Sequence, residues 1–174
     1  TIQYTLEKVI TAEVGQGELG FLFGDRLLLV AHGTIIAGVD LAKLTPEELA
    51  AIVETAHGAG AHVSGHITVS EYIPGMLDAG VDDIAHSSGD LIPNDVLQRM
   101  IDQQFILIPT FTVFRNYGGS VDVCVFNLKR FVKAGGMVAM GNDFDGGPGE
   151  FELGIPMFEI EMMSAAEMPP MQII

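Results

Sequence analysis

The chain has 174 residues, 48% of them hydrophobic and 18% charged, enough for one sizeable core and too few for two comfortable domains. Its 23 acidic against 8 basic residues give a formal charge of -15, which repels a phosphate backbone and argues against nucleic acid as a partner. The single cysteine, Cys124, excludes an intrachain disulfide, and no apolar run approaches the ~18 residues of a membrane-spanning helix despite a mean hydropathy of +0.38.

Residues 1–33 are set apart as a segment of unassigned structure, because Gly15, Gly17, Gly20 and Gly24 interrupt the apolar pattern. Strands are expected at about 27–31 and 34–39. The clearest local signal spans residues 45–58: Thr45 can cap, Pro46 suits the first helical position, and Glu48 completes a capping box. Leu49, Ile52, Val53 and Ala56 recur at helical spacing, and Gly58 and Gly60 can end the helix. A repeated cadence follows, with strands expected at about 61–67, 82–86, 105–111 and 137–142. Helices are expected at about 70–79, 94–104, 122–134 and 156–166, with Gly80, Gly135 and Gly136 at helix ends. The short continuous apolar runs suit parallel strands covered on both faces, so the expected class is α/β. A complete (β/α)8 barrel takes ~250 residues. Four or five units therefore make about half of one, and the expectation is a chain that represents part of a barrel.

Three polar residues end expected strands or follow them directly: His66, His86 and Asp143. In a parallel barrel the carboxyl ends of the strands converge on one mouth, so residues distant in sequence can meet there around one ligand. Two imidazoles and a carboxylate suit Zn²⁺ or another divalent ion, and a metal-activated water beside a carboxylate points to hydrolysis. Bland alternatives stay open. A lone strand-end histidine is more often a hydrogen-bonded structural residue, and Asp143 lies in Asn142-Asp143-Phe144-Asp145-Gly146-Gly147, which is equally good turn chemistry. The Gly-rich stretch from Gly141 to Gly149 lacks the lysine of a phosphate-binding loop and reads as a flexible site loop, so no cofactor-binding motif is assigned. His57, near the end of its helix, suits the dipole there; His62 and His32 receive no role, and the nine methionines read as core filling.

Taken together, these segments resemble the amidohydrolase superfamily, in the branch of imidazolonepropionase and the Xaa-Pro dipeptidases. Thr45-Pro46-Glu47-Glu48-Leu49 looks like the helix before the family's fifth strand, and Val63-Ser64-Gly65-His66 like that strand with its ligand histidine. Asp82-Asp83-Ile84-Ala85-His86 resembles the sixth strand, Ile108-Pro109-Thr110 the seventh, and Met137-Val138-Ala139-Met140-Gly141-Asn142-Asp143 the eighth. The resemblance covers residues 34–174 and implies a partial (β/α) barrel, the second half of a TIM barrel. It further implies a metal-dependent hydrolase in which His66, His86 and Asp143 are ligands to one or two ions of Zn²⁺ or another divalent metal. Asp143 would be the catalytic base, and metal-bound hydroxide would attack a C–N bond of an amide, lactam or dipeptide-like small molecule. The sequence departs from that pattern in two places: it contains no His-x-His pair, and Thr34 to Asp40 holds no lysine to bridge two metals, Lys43 falling in the loop beyond. These gaps lead to the alternative expectation of a non-catalytic fragment, assembled as a homo-oligomer or completed by a partner that supplies the missing half. With no leader pattern at Thr1, a cytoplasmic setting is the default.

Overall fold

The computed structural model describes the strands Ile2–Val14 and Asp25–Ala37 and residues 44–143 and 155–173. It divides into two units, Thr1–Asp40 and Leu41–Ile174. In the first, β1 (Ile2–Val14) and β2 (Asp25–Ala37) form an antiparallel ladder running from the pair Ile2 and Ala37 to the pair Val14 and Asp25. The two short strands expected at 27–31 and 34–39 are thus one continuous strand as far as Ala37, positions 38 and 39 lying outside the described residues. Gly33, between them, weakens a strand but does not interrupt a ladder whose partner continues opposite at Leu6.

The second unit opens with α1 (Pro46–Gly58), whose capping box is complete: Glu48 N–H donates to Thr45 Oγ1 at 3.2 Å and Thr45 N–H to Glu48 Oε2 at 2.9 Å. There follow β3 (Ser64–His66), a 3-10 turn (Ser70–Tyr72), α2 (Ile73–Ala79), β4 (Asp83–Ala85), α3 (Asn94–Asp102) and β5 (Ile106–Ile108). Next come α4 (Phe111–Tyr117), α5 (Val121–Lys133), β6 (Met137–Val138), α6 (Met157–Ala165) and α7 (Pro170–Ile173). The four strands form one parallel sheet in the order β3-β4-β5-β6. This is an α/β architecture consistent with half of a (β/α)8 barrel. No helix among the described residues is long and apolar enough to cross a membrane.

Strand parity decides where the core lies. Gly65, Ile84, Leu107 and Val138 align across the sheet and point one way. Ile84 and Leu107 are fully buried there against Met76 and Leu77 of α2, Met100 of α3, and Leu128 and Phe131 of α5. Gly65 permits the closeness of α2, since a Cβ at that position would lie 2.7 Å from Met76 Sδ. The opposite parity is different. Ser64, His66 and Met137 are exposed and Ile106 and Ile108 half-buried, so the two-sided cover expected of these strands exists on one side among the described residues. Asp83 is the buried exception on that face.

Two expected strands end several residues early, that at 137–142 stopping at Val138. The run 105–111 stops at Ile108, because Pro109 has no N–H to offer a ladder, and Phe111 starts α4 instead. Phe111-Thr112-Val113-Phe114 is rich in β-favouring residues and no helix is expected over it, but its burial pattern is helical, with Phe111, Thr112 and Phe114 turned inward. Propensity yields here to tertiary packing.

Candidate metal centre

His66 ends β3 and His86 directly follows β4, in adjacent strands, so both imidazoles stand at the carboxyl end of the sheet. Their rings meet edge to face with centroids 4.5 Å apart, and His86 Nε2 lies 3.2 Å from His66 Nδ1. Asp143, beyond β6, brings Oδ2 to 3.8 Å from His86 Nε2 with its side chain 54% exposed. The structure therefore gathers all three sequence-derived candidates at one mouth, with Asp143 wider from His86 than His66 is.

The tautomer of His86 follows from its other side. Thr110 Oγ1 donates its hydrogen to the Pro109 carbonyl at 2.8 Å, so it can only accept from His86 Nδ1, 2.5 Å away. This network assigns the proton of His86 to Nδ1 and leaves the Nε2 lone pair facing His66. Burial holds the His86 pKa below the ordinary histidine value of 6.5, the neighbouring His66 pushes the same way, and Asp143 opposes both. A neutral imidazole at neutral pH is the result.

Two imidazole nitrogens at this spacing suit a cation in place of a shared hydrogen. A tetrahedral ion with Zn–N bonds of about 2.0–2.1 Å separates its nitrogen donors by about 3.3 Å, close to the 3.2 Å found between the rings. A metal-ligating histidine ordinarily donates its other ring N–H to a carboxylate, a carbonyl or water, and here the Thr110 hydroxyl takes that place. The shell is nonetheless partial: among the described residues no three His, Cys, Asp or Glu side chains come together as a set able to hold a metal ion.

The other histidines sit apart from this mouth. His57 Nε2 pairs with Asp82 Oδ2 at 2.9 Å and His62 Nε2 with Asp83 Oδ2 at 2.6 Å, at the opposite end of the strands. Both act as ties between α1, the loop after it and β4. His32, Lys43 and the loop residues 144–149 lie outside the described side chains.

Three supporting residues escape a reading of sequence. Asp90 accepts from Ser70 N–H at 2.8 Å, Ser70 Oγ at 2.7 Å and the Ser88 hydroxyl, joining the loops after β3 and β4. Asn127, fully buried on α5, donates to the Asp90 carbonyl at 2.8 Å and accepts from Ile92 N–H at 3.1 Å. Glu159, fully buried on α6, accepts from the N–H groups of Phe111 and Thr112. A carboxylate in the same helical stripe as Met163 and Ala166 was the signal available for the last.

No family model matches the chain. Uncharacterized proteins of Mycobacterium bovis and Mycobacterium tuberculosis are 34% identical over 84 residues, which is 48% of this chain and 22% of each relative. The chain thus matches about a fifth of the length of these relatives. In fold it is similar to the Aspergillus niger ochratoxinase, with a TM-score of 0.54 and 24% identity over 71% of this chain and 31% of that one. It is also similar to a Xaa-Pro dipeptidase with methionine bound in its active site, with a TM-score of 0.59 and 22% identity over 74% of this chain and 34% of that one. The likeness is one of fold, to about a third of each of these two chains.

Proposed function

We propose that the barrel unit carries one side of an amidohydrolase-type metal site, with His66, His86 and Asp143 as donors. Hydrolysis of an amide, lactam or dipeptide-like C–N bond at this site requires further donors, from a partner chain, a second copy or a segment outside the described residues. The observation that carries this reading is the 3.2 Å approach of His86 Nε2 to His66 Nδ1, made with the His86 proton on the far nitrogen. Zn²⁺ or another divalent ion held there would supply Lewis-acid activation of a carbonyl group and of water. His86 presents a lone pair at Nε2 toward His66 Nδ1 without side-chain rearrangement. Asp143, exposed at the mouth, is placed to take a proton from water at Oδ2 and return it to a leaving nitrogen. Two imidazoles and one carboxylate fall short of a closed shell, so metal affinity of this chain by itself is low and turnover absent.

Calorimetric titration of the purified chain with Zn²⁺, with metal content measured alongside, tests this. Weak binding abolished by His66→Ala and by His86→Ala is the expected result. Undiminished binding in both variants rejects the donor assignment, and amide hydrolysis by this chain alone rejects the need for further donors.

A further inference from the structure

The threonine before a helix ordinarily caps it, its hydroxyl accepting from an N–H of the first turn. Thr110 precedes α4 and does not do this: its hydroxyl bonds His86 Nδ1 and the Pro109 carbonyl, and it caps nothing. It is also held at φ 47° and ψ 55°, a left-handed conformation that a β-branched residue adopts only under constraint. The first N–H groups of α4 therefore need another acceptor. Glu159 supplies it from α6, accepting from Phe111 N–H at 2.9 Å, Thr112 N–H at 2.7 Å and Thr112 Oγ1 at 2.7 Å. The Arg115 guanidinium, stacked 4.1 Å from the centroid of the Phe158 ring, anchors α4 to α6 beside this clamp.

We infer that Glu159 is a positioning residue for the metal half-site: by capping α4 from another helix it frees the Thr110 hydroxyl to fix His86 with its proton on Nδ1. The inference rests on the reading of His86 as a metal donor for its functional meaning, though not for its test. Capping and histidine orientation are divided between two residues that one threonine hydroxyl could not serve at once. Without the clamp, the first turn of α4 frays, Thr110 relaxes out of the left-handed region, and its hydroxyl leaves His86. An imidazole so released populates both neutral tautomers and rotates.

The ¹⁵N shifts of the His86 ring, recorded on the full chain at neutral pH, report the tautomer directly. The wild type is expected to show the proton on Nδ1, and Thr110→Val to lose that pattern. Glu159→Gln, which places an amide NH₂ against the donors of α4, is expected to move His86 to a mixture of tautomers and to weaken Zn²⁺ binding about 10-fold. Should Glu159→Gln not fold, Thr112→Val, which removes one of the three donors to Glu159, is expected to move the pattern in the same direction by less. A folded variant of either kind with the wild-type His86 pattern overturns the inference, because a role confined to stability would lower the melting temperature and leave the tautomer alone. If the tautomer moves while the wild type binds no Zn²⁺, the positioning role stands and the proposed function falls.

Discussion

Two imidazole nitrogens 3.2 Å apart share either a hydrogen or a cation, and the Thr110 hydroxyl restricts the choice by fixing one of the four nitrogens involved. A second residue of this kind is Asp90, whose carboxylate ties the loop after β3 to the loop after β4. Burial by itself would raise the Asp90 pKa, but hydrogen bonds from the Ser88 hydroxyl and from Ser70 outweigh it and hold the group below its ordinary 3.8. A carboxyl depressed in the folded state contributes stability that is present in full above the ordinary value and is lost as pH falls through the folded one. Asp90→Asn should therefore cost about 1 kcal/mol at neutral pH, the low end for charged hydrogen bonds because the side chain is exposed, with the difference from wild type shrinking toward zero under acid conditions. Urea denaturation across a pH series measures this, and a difference that grows on acidification would contradict it. His66 and His86 were legible because strand ends declare themselves by local pattern. Thr110 and Glu159 were not, since their partners lie 24 and 47–48 residues away and no local period encodes such a pairing.

Six helices end in the same way before the chain turns onward. In α1 to α6 an N–H just past the helix returns five residues: Ala61 to Ala56, Val81 to Met76, Phe105 to Met100, Gly119 to Phe114, Gly136 to Phe131 and Met168 to Met163, at 2.8 to 3.2 Å. Each closure needs a left-handed residue, and these are Gly60, Gly80, Gln104, Gly118, Gly135 and Glu167. Gly60, Gly80 and Gly135 made their helix ends readable in the sequence, as the capping box made the start of α1. Gln104 and Glu167 concealed theirs, because nothing in either side chain announces a left-handed backbone. Gln104, exposed at φ 55°, should be replaceable: Gln104→Gly is expected to stabilise the chain by roughly 0.5–1 kcal/mol. At Gly135, φ 92°, an added Cβ meets nothing within 4 Å, so Gly135→Ala isolates the backbone term and should cost roughly 1 kcal/mol. Opposite shifts in urea midpoint check the pair, and shifts of the same sign would reject the closure geometry. The α4 helix went unread for the converse reason: its residues favour strands, and what makes them helical is a cap from elsewhere in the fold.

At the scale of the molecule, the parallel sheet has, among the described residues, two edges, β3 and β6, and one face that its helices do not cover. Eight parallel strands close a barrel, so four leave that face, with His66 on it, uncovered by the described residues. The class and the βα cadence of this unit followed from apolar runs and glycine punctuation. The β1–β2 hairpin did not, since glycines within and between its strands mask their period. Folding order is the quantity that the Glu159 clamp now determines. The pairing of β4 with β5 joins residues 23 apart in sequence, from Asp83 to Ile106, while the bond from Phe111 to Glu159 spans 48. Closing the longer loop comes at greater entropic cost and gains nothing until α6 has docked. Pulse-labelled hydrogen exchange should show the amides of Ile84 and Leu107 protected before those of Phe111 and Thr112, and simultaneous protection would refute this sequence of events. A ribosome releasing this chain would thus deliver both histidines early and their final orientation late. Until the sixth helix emerges, the sheet exists with its imidazoles unset, so the pair acquires its fixed orientation only after synthesis has passed Glu159.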